Sequence, residues 1–333
     1  MEGNPEIIGF GSACVDFIVV VATLPGSDES LPIEDYSAQG GGKVATAMAA
    51  ASRLGGPVGF IGKVGDDEFG SFIKADLERH GVDTRFVKTI CGASSPFSIV
   101  MTEVGRKARS ILSFKGTISP PRLEDFELDR LFQYISGAKW LHLSKAGSAE
   151  AELAREFRRR GGKVCFDADT FSPEVDAFIP LIDAFIASRH FIRAYGGLEA
   201  DTGGAGALRE VLRRIQSKGP EIAIATLGED GITGIIYDEP YEAPAFSVNV
   251  KDTTGAGDVF HGAFIFAMWK GYDPKEACVF AQAVSALKCT AIGGRAGLPT
   301  YDEVLRFMKT GKVELAEVDE RTRFYRALFG KIT

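Results

Sequence analysis

Two hydrophobic periods organise the chain. Short apolar runs at 7–11, 17–21, 58–62, 98–102, 110–114, 140–143, 164–167, 184–187, 222–227 and 232–237 have the length and β-branched content of strands. The segments 43–54, 67–80, 149–160, 204–218, 258–270 and 274–291 instead repeat apolar positions at helical spacing. From Ser136 onward the two kinds alternate, which predicts an α/β fold, a doubly wound and mainly parallel sheet with helices on both faces. Phe246, Val248 and Val250 alternate with polar neighbours and predict one further strand, feeding a helix whose face carries Val259, Phe260, Ala263, Phe264 and Ala267.

Two stretches break the alternation. Residues 17–36 and 98–115 are strand-like without an intervening helix, and the second holds a hairpin turn at Val104 and Gly105. Together they predict a small antiparallel sheet, its segments at about 15–37 and 96–116, inserted in a single domain spanning 1–333. If the second strand stays regular, Lys107, Arg109, Ile111, Ser113 and Lys115 share one face.

Composition narrows the class. With 333 residues, 45% hydrophobic and 25% charged, the chain can bury a large core. A net charge of -7 argues against nucleic acid or an acidic membrane as general partners. The cysteines, Cys14, Cys91, Cys165, Cys278 and Cys289, lack metal-ligand spacing, and their odd number fits reduced thiols in a cytoplasmic protein. Residues 1–5 show no basic export signal, and the longest apolar runs are too short to span a bilayer.

The chemistry concentrates at 251–264. Gly255, Ala256 and Gly257 lie between the expected strand and the helix, where small residues let a charged group approach unpaired N–H groups at the positive end of the helix dipole. Asp258 follows in the first turn. Alone it would read as a complement to the helix N-terminus, but beside an anion cradle it reads as a base for an attacking hydroxyl. A dinucleotide-binding oxidoreductase is excluded, because Gly9 and Gly11 are followed by Cys14 where a third glycine belongs.

The run from Asp252 to Asp258 resembles the D-T-x-G-A-G-D signature of the PfkB (ribokinase-like) carbohydrate kinases, and 62–70 is similar to that family's G-x-V-G-x-D-x-x-G. The resemblance implies transfer of the γ-phosphoryl of MgATP to a primary sugar hydroxyl. Asp258 would be the base, the amides of Gly255, Ala256 and Gly257 would hold developing charge, and Asp252 would orient the loop or a metal-bound water. On the sugar side it implies Asp16, the Gly41–Gly42 turn, Lys43 and Thr46, which stands where the family usually has Asn. Asp28 reads either as a further contact or as a solvated turn. On the nucleotide side it implies Thr226, Gly228, Gly231, Thr254, Gly257, Lys288 and Gly294, with K+ as an open addition to ATP and Mg2+. Asp167 and Asp169, at another strand end, would position a metal-bound water. The family's N-x-x-E element is missing, with Ser188 at its place.

Blocks at 40–47, 167–169 and 286–297 look like those of sulfofructose kinase and its relatives, so an anionic acceptor is expected, met by Lys43, Arg109 and Lys115. The resemblance also implies that the small antiparallel sheet is a β lid over the sugar, and lids in this family often serve as dimer contacts as well, which implies a homodimer. A nucleoside kinase of the same family and a non-catalytic sugar-binding protein remain alternatives, the intact Asp258 counting against the second.

Overall fold

The computed structural model describes residues 3–103, 108–198 and 204–332. Its strands are β1 (Ile7–Phe10), β2 (Cys14–Val21), β3 (Asp35–Gly41), β4 (Val58–Gly65), β5 (Asp83–Ile90), β6 (Phe97–Glu103), β7 (Ala108–Phe114), β8 (Trp140–Leu143), β9 (Lys163–Ala168), β10 (Ala184–Ser188), β11 (Ile222–Thr226), β12 (Ile232–Ile236) and β13 (Glu239–Ala243). Nine of them form one sheet in the order β13-β12-β11-β10-β9-β8-β1-β4-β5. It is parallel from β11 to β5; β12 runs antiparallel to β11, and β13 pairs antiparallel with β12 at the edge.

Period-two alternation divides the core. Ile7, Trp140 and Cys165 pack toward the helices Lys43–Arg53, Ala256–Lys270 and Pro274–Lys288, whereas Ile8, Leu141 and Phe166 pack toward helices on the other face. The two central helices approach closely. A Cβ at Gly262 would run into the backbone carbonyl of Ala47, and one at Gly9 into Met48, so glycine at these places lets helix meet helix and helix meet sheet.

The expected lid is a separate four-stranded sheet, β3-β2-β6-β7. Its outer pairs are antiparallel as expected, but the central pair, β2 and β6, is parallel. The turn assigned to Val104 and Gly105 lies outside the described residues. The ladder puts Asp16, Ser98, Thr102 and Arg109 on one face and Ile99, Leu112 and Phe114 on the other.

One expected strand is absent. Residues 244–250 join no ladder, although Phe246 and Val248 pack against the core, so the alternation there reflects one-sided burial of a coil.

Candidate active site

The segment after this coil is shaped by Asp252. Its buried carboxylate accepts from the Thr254 amide at 2.9 Å, the Thr254 hydroxyl at 2.8 Å and the Gly293 amide at 2.7 Å, with Thr102 of the lid at 3.4 Å. Burial opposes ionisation, but Lys288 and these amides hold the carboxyl below its ordinary value. Lys288 is fully buried and donates to the Asp252 carbonyl at 2.9 Å. Asp252, Thr254 and Lys288 are thus committed to holding the loop in shape.

Gly255, at φ 73°, takes the left-handed conformation that ends the loop and starts the helix Ala256–Lys270. It lies against Gly294 and Thr46, whose buried side chain packs at this junction. The Ala256 amide donates to Thr253 O at 3.1 Å, which removes it from the expected cradle. The Gly257 and Asp258 amides, second and third in the helix, have no acceptor within it. A Cβ built on Gly257 would meet nothing within 4 Å, so the space above these amides is open.

Asp258 stands half-buried at the same spot. Burial pushes its carboxyl up to about 6, the Asp167 carboxylate adds to the shift, and Lys43, His261 and Arg109 oppose it. Asp167, at the end of β9, faces His261 Nε2 at 3.4 Å and Lys43 Nζ at 3.9 Å. Burial works against its charge, yet His261 and Lys43 hold it far below the usual carboxylate range. Lys43 also pairs with Asp169 at 2.9 Å. Burial disfavours its ammonium, but Asp167, Asp169 and Asp258 outweigh that and raise it. Two expectations change accordingly: Lys43 is engaged by these acids instead of standing free for a substrate anion, and Asp167 is turned toward Lys43 and His261. His261 was not singled out by sequence, although three residues beyond Asp258 it shares a helix face with it.

The sugar side forms around Gly41. Any Cβ there would collide with the Asp16 carboxylate, and Gly42, at φ 93°, caps the Lys43 helix. Burial raises the Asp16 carboxyl, opposed by the hydrogen bond from Cys14 at 3.4 Å and the charge of Arg295. Arg295 itself is wholly buried: it pairs with Asp76, reaches Gly41 O at 3.4 Å, and its amide donates to Gln39 at 2.8 Å. It is a structural arginine that fixes the glycine turn. Arg109 extends from the inner lid face and donates to Thr253 O at 3.1 Å. Asp28 sits in an exposed turn at φ 60°, so the solvated-turn reading holds for it, and Lys115 lies exposed beyond β7.

Two strands along from β9, Thr226 ends β11 and donates to Ala187 O at 3.3 Å. Gly228 (φ 66°) and Gly231 (φ 84°) shape the following turn, and Arg189 donates to Leu227 O at 2.9 Å. Ser188 caps the helix Arg189–Gly196 by accepting from the Phe191 amide at 3.1 Å. Asp167, Asp169 and Thr226 lie at the carboxyl edge of the main sheet, where open α/β folds bind ligands, and Asp16 lies in the lid strand β2 that follows β1.

Residues 4–301 match the pfkB family carbohydrate kinase domain. Aminoimidazole riboside kinase of Salmonella typhimurium is 30% identical over 284 residues, covering 81% of this chain and 88% of that protein. Deoxyribokinase of Salmonella typhi is 28% identical, covering 91% and 98%. 5-Dehydro-2-deoxygluconokinase of Clostridium perfringens is 26% identical, covering 95% and 96%. Among solved structures, Arabidopsis thaliana ribokinase complexed with ribose and ATP superposes with a TM-score of 0.78 at 24% identity, covering 92% of this chain and 99% of that one. Thermotoga maritima ribokinase gives 0.76 at 22%, covering 92% and 100%.

Proposed function

Because the chain belongs to the pfkB family of carbohydrate kinases, we propose that it transfers the γ-phosphoryl of MgATP to a primary hydroxyl of a sugar with Asp258 as the base. The observation that carries this reading is the Asp258 carboxyl, raised to about 6 beside open amides at a helix start. A carboxylate so tuned is largely ionised at neutral pH yet basic enough to take a hydroxyl proton. As the acceptor oxygen attacks phosphorus, its proton passes to Asp258. The Gly257 and Asp258 amides meet charge developing on the transferred group, and Arg109 closes over the loop from the lid. Asp16 and the Gly41 turn orient the sugar, and Thr226, Gly228, Gly231 and Gly294 border the nucleotide. Asp169, half exposed and paired with Lys43, would be the carboxylate to hold a water of the magnesium in MgATP. Lys288, buried behind the loop, donates to the Asp252 carbonyl and holds the loop in shape; ATP and Mg2+ are the cofactors of this reading, and assays with and without K+ test K+ as an addition.

The acceptor in this reading is an anionic ketose such as sulfofructose. With Lys43 engaged, the cation supporting that choice is Arg109, which lies on the inner lid face. A coupled ADP-release screen over neutral sugars, sugar phosphates, sulfonated sugars, sugar acids and nucleosides tests it. A charged ketose should exceed its neutral counterpart by roughly ten- to a hundred-fold in kcat/KM, the worth of one charge-assisted contact. Preference for a nucleoside or a neutral sugar would remove the anionic reading while leaving the kinase; no ADP release with any acceptor would favour a non-catalytic sugar-binding protein.

The second proposal at this level is a homodimer through the lid. Its outer face exposes Ile99, Leu112 and Phe114, the last two by 59% and 48%, an apolar surface that a second copy would cover.

A further inference from the structure

Below Asp167, on the same face of the sheet, lies a group of side chains of which only His261 reaches the groups around Asp258. His142 and Cys165 are direct partners across β8 and β9, so their side chains leave the same face side by side. His261 comes down onto them from the helix Ala256–Lys270, its ring centroid 5.2 Å from that of His142. One donor atom from each, an imidazole nitrogen or the Cys165 sulfur, lies within 4.8 Å of the others. His142 and Cys165 are wholly buried and His261 is 4% exposed.

The hydrogen bonding of this group is incomplete. His142 has a marginal interaction with the Cys165 backbone, but neither of its ring nitrogens makes a well-formed hydrogen bond among the described residues, and Nδ1 of His261 makes none either. A neutral imidazole carries one N–H and one lone pair, and burying either without a partner costs about 1–3 kcal/mol. An open nitrogen on each of the two rings, beside a buried thiol, leaves one donor atom per residue for a shared occupant. His261 is already directed by its other nitrogen, since Nε2 faces Asp167 Oδ1 at 3.4 Å. A carboxylate on one imidazole nitrogen is the arrangement that fixes the tautomer of a metal-binding histidine and leaves the opposite nitrogen for the ion.

We propose that His142, Cys165 and His261 form a buried site for a zinc-class divalent ion, with His261 binding through Nδ1. Two imidazoles and a thiolate are a donor set that zinc takes, at bond lengths of about 2.0–2.3 Å. Ligand atoms in such a site stand roughly 3.3–3.8 Å apart, so the side chains draw inward by about 1 Å on binding. As the sulfur–metal bond forms, the Cys165 thiol releases its proton to solvent, and both imidazoles bind as neutral lone-pair donors. Three separate segments supply the ligands, so the site is complete only once the strands and helix have assembled, and the ion enters as the chain folds or opens.

Two measurements on the full chain test this, and neither reads kinase turnover, so their failure is distinct from failure of the functional reading. First, protein produced in zinc-supplemented medium and exhaustively dialysed is assayed for metal by mass spectrometry. About one zinc per chain is expected in wild type, falling at least tenfold in Cys165→Ser and His142→Gln. Second, unfolded wild type is refolded with Co2+ alone and its near-ultraviolet spectrum recorded; a thiolate-to-cobalt band should appear in wild type and vanish in Cys165→Ser. The wild-type spectrum stands even if a variant fails to fold. Wild type without zinc and without the cobalt band overturns the proposal and leaves a buried water as the occupant; a band that survives in Cys165→Ser overturns the ligand assignment.

Discussion

Asp258 is placed between opposing influences, and their balance can be measured. Burial and the Asp167 carboxylate raise it to about 6, while Lys43, His261 and Arg109 pull it back. If the base must be ionised, kcat/KM is full above this value and falls as pH drops through it, giving an acid limb near 6. Asp167→Asn removes a like charge, so the Asp258 carboxyl moves toward its ordinary value and the acid limb shifts to lower pH. A limb that stayed fixed or moved up would show that Asp167 does not tune the base. Asp258 was legible because a carboxylate beside an anion cradle is chemically conspicuous. The pairing of Asp167 with Lys43 and His261 was not, since it joins a strand end to two helices far apart in sequence, and only packing brings them together.

At the scale of elements, the site exists because the helices Lys43–Arg53 and Ala256–Lys270 touch. Gly262 faces the Ala47 carbonyl so closely that any Cβ must displace backbone. Gly262→Ala should therefore cost about 1–3 kcal/mol, read as a lowered Tm; an unchanged Tm would mean that this contact does not set the helix spacing. Gly257 presents the contrasting case. Its Cβ direction is open and its φ is not positive, so Gly257→Val should fold normally while its side chain fills the space above the amides. Turnover should collapse with sugar binding retained; calorimetry showing full MgATP affinity together with normal turnover would count against the cradle. The parallel core strands and the large helices were readable from apolar period because both of their sides are controlled by burial. The edge strands Asp83–Ile90 and Glu239–Ala243 were missed because polar residues dominate them, and 246–250 was misread because one buried side imitates strand alternation.

For the whole molecule, the account rests on a sheet edge collecting the groups and a lid closing on them. The lid was legible as strands without helices. Its parallel central pair was not, because pairing direction depends on how β2 and β6 leave the main sheet and not on their composition. If the apolar outer face meets a second copy, Leu112→Glu should convert a dimer into monomers in analytical ultracentrifugation, whereas a wild type that sediments as a monomer at all concentrations ends that idea. The central claim is that Asp258 removes the proton during phosphoryl transfer, and the most direct measurement is steady-state turnover of Asp258→Asn with the acceptor found by the ADP-release screen, alongside circular dichroism and MgATP binding. The account predicts a folded variant with wild-type MgATP affinity and kcat lowered by roughly 10²- to 10⁴-fold; a folded variant turning over at close to the wild-type rate would contradict it.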